Sequence, residues 1–348
     1  MPILHTVLEQ LDHARRRTGR LLDGVGVGPQ ETPSEVVAEA PGVRLRHFPG
    51  ATGAPPVLLV PAPIKRWYIW DLEPAVSVVR RCLAYPLDVY LVEWTEDGGA
   101  GLDGYAGGML RTCIDAVAER TGHRPVPLIG HSLGGTLAAV FAARNPEAVG
   151  PVVLLEAPLH FGRDAGAFAP LLAMSPPVRR LADVERPVPG SFLDMVSMLA
   201  DPVAFQLARY ADLALSLRDP ALLATHLRVL RWTLDELPLP GPLFEDVVER
   251  LYRRDEFMSG ALSIAGRRVG PADLTVPLLT VLNPYARVIP PESIVPFHQA
   301  AGGSRKQLIR YRGDRGVALQ HVGMLVGRNA HRFLWPVVLD WLTTDLRT

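Results

Sequence analysis

Short apolar runs alternate with helix-like patterns along most of the chain, a rhythm that predicts a sheet covered by helices. Runs at 43–49, 56–61, 87–94, 126–130, 151–156, 277–283 and 306–312 read as strands. Several are apolar at consecutive positions, as expected of parallel strands buried on both faces. Helical patterns follow many of them, at 72–84, 105–119, 134–144, 292–301 and 331–346, with Pro336 a potential kink in the last. Residues 3–22 carry apolar positions at helical spacing, and a Gly/Pro/Glu-rich stretch follows to residue 41, so a helix and a linker are expected there. The alternation breaks down at 159–272, where Leu, Arg, Asp and Pro dominate at mainly helical spacing. The expected plan is therefore an N-terminal helix and linker (1–42), a first part of an α/β core (43–158), an inserted helical cap (159–272) and the rest of the core (273–348).

Composition narrows the class. A chain of 348 residues, 48% hydrophobic and 21% charged, suits one elaborated globular domain and not a disordered protein. Lys and Arg together number 36, as do Asp and Glu, so no charge excess points to nucleic acid or an anionic membrane. Cys82 and Cys113 are too few for a disulfide framework and suit a reducing compartment. No apolar run approaches the roughly 20 residues of a membrane span, so no transmembrane segment is expected. The N-terminus lacks the pattern of a signal peptide, and a cytoplasmic location is expected. Metal-binding, Walker and dinucleotide motifs are absent; Gly24, Gly26 and Gly28 alternate in the linker with no strand before them. No cofactor and no metal are expected.

The chemistry concentrates at Gly130-His131-Ser132-Leu133-Gly134. It follows an apolar strand directly and opens a helical pattern directly, the context of a nucleophile elbow. The turn is so tight that the positions two before and two after the serine must lack side chains. The helix start aims free N–H groups at a developing oxyanion, with Leu133 N–H the first donor by position. A serine hydroxyl needs a base. His321, beyond the last strand and a loop, fits the chain order of such a site, whereas His331 lies in a helical pattern and reads as a surface residue. His131 flanks the nucleophile and is expected to point away or to line the substrate pocket.

At this point the chain resembles the polyhydroxyalkanoate synthases and related α/β-hydrolases. The likeness is carried by Val60-Pro61-Ala62-Pro63-Ile64-Lys65-Arg66-Trp67-Tyr68-Ile69-Trp70-Asp71-Leu72, by Val89-Tyr90-Leu91-Val92-Glu93-Trp94 with Leu102-Asp103-Gly104-Tyr105, by Trp232-Thr233-Leu234-Asp235 with Leu239-Pro240-Gly241 and Leu251-Tyr252, and by His321-Val322-Gly323. It implies an α/β-hydrolase fold with a mostly parallel central sheet, helices on both faces and an inserted helical cap. It also implies that the second oxyanion donor comes from Ala62 or Ile64, since Pro61 and Pro63 lack an N–H. Trp67, Tyr68 and Trp70 are expected to line an acyl pocket or to pack in the core.

Two positions depart from that family. The synthases use cysteine in the elbow, where this chain has Ser132. A cysteine acyl-enzyme is a thioester, so exchange with another thioester is nearly balanced and repeatable. A serine acyl-enzyme is an oxyester, so loading from a thioester runs downhill and favours hydrolysis or a single transfer. Second, alignment on Pro290-Pro291 puts Ala286 and Arg287 where the family's carboxylate belongs. Glu156, at the end of the strand read at 151–156, is the replacement acid, a position some dehalogenases and lipases of this fold use; Asp314 and Asn283 are weaker alternatives.

The expectation is an enzyme, a serine hydrolase or acyltransferase acting on an ester or an acyl thioester linked to coenzyme A or a carrier protein. Ser132, His321 and Glu156 would form the triad. The resemblance also implies a polymer synthase with a partner subunit, and the missing acid leaves open a non-hydrolytic cyclase, lyase or scaffold. A small-molecule substrate, no nucleic acid and a homodimer complete the expected partners.

Overall fold

The computed structural model describes residues 2–181 and 186–344. Eight strands form the main sheet: β1 (Glu35–Ala40), β2 (Val43–Phe48), β3 (Pro56–Val60), β4 (Asp88–Trp94), β5 (Val126–His131), β6 (Val149–Leu155), β9 (Leu278–Leu282) and β10 (Lys306–Arg310), while β7 (Leu262–Ile264) and β8 (Arg267–Val269) pair separately as a hairpin. The order is β1-β2-β4-β3-β5-β6-β9-β10. β1 and β2 join antiparallel, and every pairing from β4 through β3 to β10 is parallel. This is the mostly parallel α/β sheet that the strand–helix rhythm predicts.

Every residue of β3, β5, β6 and β9 is buried, because helices cover both faces. The two-residue period of a strand divides the core in two. Leu58 and Val60 pack with helices α3 (Leu110–Thr121) and α4 (Leu133–Arg144), whereas Val57 and Leu59 pack with α2 (Val78–Ala84) and the helix Trp335–Thr344. Cys82 and Cys113 lie buried as free thiols on opposite faces.

Several elements differ from the sequence reading. β1 occupies part of the expected linker; as an edge strand with little full burial it needs no continuous apolar run, which hid it. The helix expected over 72–84 begins only at Val78, where Ser77 caps it by accepting the Arg80 N–H. Pro336 follows directly on a π-helical turn, Ala330–Leu334, that runs unbroken into Trp335–Thr344, so the helix passes over it by widening just before it; residues 345 and 346 of that expected helix lie outside the described residues. His331 is buried, not on the surface: its ring packs beside Trp335 and its Nε2 donates to the Leu325 carbonyl at 2.7 Å.

Between β6 and β9 the chain is mostly helical, with the β7–β8 hairpin near its end. It is tied to the remainder by charged contacts. Arg231 holds both Asp23 oxygens at 2.6 and 2.8 Å, and Arg228 meets Glu73 at 3.0 Å. Asp12 of α1 (Pro2–Gly24) accepts the N–H groups of Gly190 and Ser191. No helix among the described residues is long and apolar enough to cross a membrane.

Candidate active site

β5 ends at His131 and α4 begins at Leu133, leaving Ser132 alone in the turn with φ 55° and ψ −136°. A side chain in that left-handed region is strained, and such strain at a turn top marks a functional position. The two flanking glycines have steric causes. A Cβ on Gly134 would lie 2.3 Å from the Val60 carbonyl oxygen, and one on Gly130 would lie 2.6 Å from the Gly135 Cα. Neither backbone can retreat, so the tight strand-to-helix turn requires glycine at both. The Ser132 N–H donates to the Leu155 carbonyl at 3.0 Å, which fixes the turn to the end of β6.

The neighbouring strand ends in a buried carboxylate. Glu156 follows β6, has φ 41°, and is 1% exposed; its N–H is bound to the Val281 carbonyl of β9. His321 sits in a single turn, Gln320–Val322, after β10 and a loop. Its Nδ1 lies 3.1 Å from the Glu156 Oε2. His131 closes the group: its Nε2 is 2.8 Å from the His321 carbonyl oxygen, so it carries a hydrogen and donates, and the two rings lie 4.6 Å apart. The elbow and the histidine loop are thereby joined side by side. Trp70 meets the other side of the His131 ring edge-on at 6.4 Å.

Burial sets the proton affinities here. It pushes the Glu156 carboxyl up to about 8, opposed by a hydrogen bond from the Asn283 backbone N–H. It pushes the His321 imidazole down to about 4 and His131 well below the usual histidine range, the latter helped by the neighbouring His321 charge. The low-dielectric setting thus resists a resting ion pair and keeps the group near one shared proton. The donor atoms of His131, Glu156 and His321 lie within 4.8 Å of one another, close enough to reach a common ion. Each side chain is instead engaged within the protein, and two histidines with one carboxylate on these contacts read as an acid–base set.

The remaining expected residues are distributed as follows. Leu133 is the first residue of α4, so its N–H belongs to the unpaired helix start. Ala62 and Ile64 lie in the loop after β3, partly buried; the Ile64 carbonyl binds the Leu237 N–H, which fixes this loop to the inserted helices. Trp67 is not brought to the group. It lies in the core against Phe48, with the Arg46 guanidinium 4.4 Å above its ring. Asp314 is committed elsewhere: it accepts the Tyr311 hydroxyl and the Asn329 and Ala330 N–H groups. Asn283 uses its side-chain oxygen on the Tyr285 N–H and touches Glu156 through its backbone. Arg287 is exposed beside Asp201, so the usual acid position holds no carboxylate near His321. The Asn283 N–H was not assigned a role from sequence, because a backbone group gives no side-chain signal; Trp70 stood with Trp67 and Tyr68 in an aromatic run with no indication of which ring faces inward. An apolar cavity of about 510 Å³ lies between α1 and the inserted helices, lined by Leu8, Phe168, Leu172, Phe192 and Phe244, and none of Ser132, His321 or Glu156 borders it.

Comparison with known proteins finds similar chains. A family model described as alpha/beta hydrolase fold matches residues 92–189, which include the elbow and Glu156. The poly(3-hydroxyalkanoate) polymerase subunit PhaC of Haloferax mediterranei is 32% identical over 93% of this chain, which spans 66% of that protein, just under two thirds. The subunit of the same name from Allochromatium vinosum is 23% identical, with 96% of both chains covered. Among solved structures, the monoacylglycerol lipase of Paleococcus ferrophilus superposes with a TM-score of 0.56 at 16% identity, covering 87% of this chain and 98% of its own. Naproxen esterase from Bacillus subtilis gives 0.52 at 15% identity, covering 95% and 98%. At such identities the structures speak for the fold alone. The chain has the α/β-hydrolase fold and is similar over most of its length to poly(3-hydroxyalkanoate) polymerase subunits.

Proposed function

We propose that this protein is a serine acyltransferase or hydrolase acting on an acyl thioester or ester, with Ser132 as nucleophile, His321 as general base and Glu156 as the acid that orients it. The observation that carries this reading is the 3.1 Å contact between His321 Nδ1 and Glu156 beside a serine held at φ 55°. His321 takes the Ser132 proton as the hydroxyl attacks the acyl carbon. The Leu133 N–H and one from the loop at Ala62 or Ile64 receive the oxyanion. As the tetrahedral species collapses, the proton passes from His321 to the leaving thiolate or alkoxide, leaving an acyl-serine. His321 then deprotonates water or an acceptor alcohol, whose oxygen attacks the acyl carbon, and passes that proton to the Ser132 oxygen as the acyl–serine bond breaks. Glu156 holds Nδ1–H, so that Nε2 faces the serine with its lone pair, and it offsets the charge of the imidazolium. The substrate class is a small acyl thioester, carried on coenzyme A or a carrier protein, and the inserted helices act as a cap over it.

A second reading is favoured by the relatives, which are named as poly(3-hydroxyalkanoate) polymerase subunits: chain growth on the same serine, with a partner subunit. The deciding chemistry is the acyl bond. An oxyester on Ser132 lies downhill from a thioester, so the first reading expects free acid or a single transfer product.

A fluorophosphonate probe tests the nucleophile. It should label the wild type and fail on Ser132→Ala and His321→Asn; labelling of Ser132→Ala at another residue only, or full labelling of His321→Asn, would remove the reading. Incubation with a 3-hydroxyacyl-coenzyme A then separates the two: release of coenzyme A with free acid supports hydrolysis, whereas insoluble polymer supports synthesis.

A further inference from the structure

The loop that delivers His321 is held from the inserted segment by a carboxylate that the proposed chemistry does not use. Asp212 lies on the helix Ala208–Ser216 and is 7% exposed. One of its oxygens accepts the Gly316 N–H at 2.8 Å, and the other accepts the Ala318 N–H at 2.8 Å. The second oxygen also lies 3.2 Å from Nδ1 of His226, on the helix Pro220–Thr233. A carboxylate only accepts, so His226 Nδ1 carries a hydrogen and donates. His226 is 0% exposed and its Nε2 has no protein partner among the described residues, so the ring is oriented for Asp212 alone.

The loop needs such a clamp. Gly316 has φ 74° and Ala318 φ 56°, and Ala318 is a side-chain-bearing residue in the left-handed region. A Cβ on Gly316 would come within 2.9 Å of Leu222, so the loop also packs directly on the Pro220–Thr233 helix. From Ala318 the chain reaches His321 in three steps, through turns closed by Leu319 N–H to Val317 O and Val322 N–H to Leu319 O. Ala318 cannot move without carrying the imidazole along. The other side of the loop is fixed by Asp314, which binds the Asn329 and Ala330 N–H groups of the core.

We infer that Asp212 is a positioning residue for His321, so that the packing of the cap sets the placement of the base. This rests on His321 acting as the base. With the cap helices seated, Asp212 satisfies two buried N–H groups and holds Ala318 in its strained turn. When they shift, both N–H groups lose their acceptor, the turn relaxes and the imidazole leaves the elbow. Catalysis is thus tied to a seated cap, which also keeps water from an acyl-serine.

The test compares Asp212→Asn with the double variant Asp212→Asn/Ala318→Gly, using a short soluble acyl ester and the fluorophosphonate probe on the full chain. Asn offers one acceptor oxygen in place of two, whereas Gly removes the strain at φ 56°. Asp212→Asn should lower kcat and the labelling rate of Ser132 roughly ten- to a hundredfold while KM stays within about twofold. The added Ala318→Gly should recover a large part of that loss. An unchanged kcat in folded Asp212→Asn overturns the inference. So does a loss appearing as a raised KM, or one that the glycine does not recover. If Asp212→Asn does not fold, amide hydrogen exchange of the wild type decides: Gly316 and Ala318 should be protected like core amides, and exchange at open-loop rates would refute the clamp. Failure of the function reading looks different, because His321→Asn would then label as fast as wild type.

Discussion

His321 Nδ1 and a Glu156 oxygen lie 3.1 Å apart, in a setting where burial raises the carboxyl to about 8 and lowers the imidazole to about 4. The two groups therefore titrate as one pair. On the proposed roles, one extra proton makes the pair inactive in either arrangement. If the proton sits on Glu156, the acid donates to Nδ1 and the ring's own hydrogen moves to Nε2. If it sits on the ring, Nε2 is again protonated. The base exists only when that proton is gone.

It follows that kcat/KM for a soluble ester should rise with pH through an apparent pKa near 8, above the ordinary histidine value. In Glu156→Gln the amide oxygen can still accept Nδ1–H but has no proton of its own to lose. The limb near 8 should vanish, and kcat should fall roughly a hundred- to ten-thousandfold for want of a counter-charge to the imidazolium. Pre-steady-state and steady-state profiles from pH 5 to 10 check this; a wild-type limb at 6 to 6.5 that survives in Glu156→Gln would contradict it.

The same carboxyl has a stability signature. Its proton is held more tightly in the folded state (about 8) than in the unfolded chain (about 4.5), so stability is lost as pH rises through that window. Glu156→Gln does not carry that loss. Its advantage over wild type in urea unfolding should be small at pH 5 and grow to the order of 5 kcal/mol by pH 9, taking about 1.4 kcal/mol per pKa unit. A constant difference across that range would mean the carboxyl is ionised at no cost.

Ser132→Cys should change the product and not merely the rate. Its acyl-enzyme is a thioester, so return to another thioester or transfer to a growing hydroxyl end competes better with water. With 3-hydroxyacyl-coenzyme A the ratio of oligomer to free acid should rise. The two native thiols do not interfere, since burial pushes both Cys82 and Cys113 up to about 12. Mass spectrometry of the products reads the ratio, and an unchanged ratio would show that solvent access, not the acyl bond, sets the outcome.

Arg231 joins α1 to the inserted helices. It binds Asp23 twice and lies 3.4 Å from Asp235, with its side chain 7% exposed. Arg231→Ala leaves these carboxylates without their partner and should destabilise the chain by about 1–2 kcal/mol, less than breaking a fully buried pair, because Asp23 is 36% exposed. Chemical denaturation measures it; a loss under about 0.5 kcal/mol would put the network in the class of exposed surface pairs.

The nucleophile turn was legible because its chemistry is local: Gly130, Ser132 and Gly134 are required by backbone contacts within a few residues and with the adjacent strand end. His321 was legible from chain order, and Glu156 from its place at the end of an apolar run, although a charged strand end reads equally well as solvated. Trp67 and His331 were less tractable. Whether an aromatic or imidazole ring faces a pocket or a core depends on which helix covers it, and spacing does not encode that. β1 escaped notice because an edge strand is selected by one neighbour's hydrogen bonds and not by its own apolar pattern.

By itself, the order of residues determined the strand–helix rhythm, the glycine-flanked serine and the absence of a carboxylate at the customary position, all properties of short stretches of chain. Only the folded arrangement decided which acid meets His321 and which loop is clamped by Asp212. Those contacts join positions 165 and about 105 residues apart; the first depends on how parallel strands lie side by side, and the second on how the inserted helices pack against the histidine loop. Burial, which moves the proton affinities of Glu156 and His321 in opposite directions, exists only once the helices close over them.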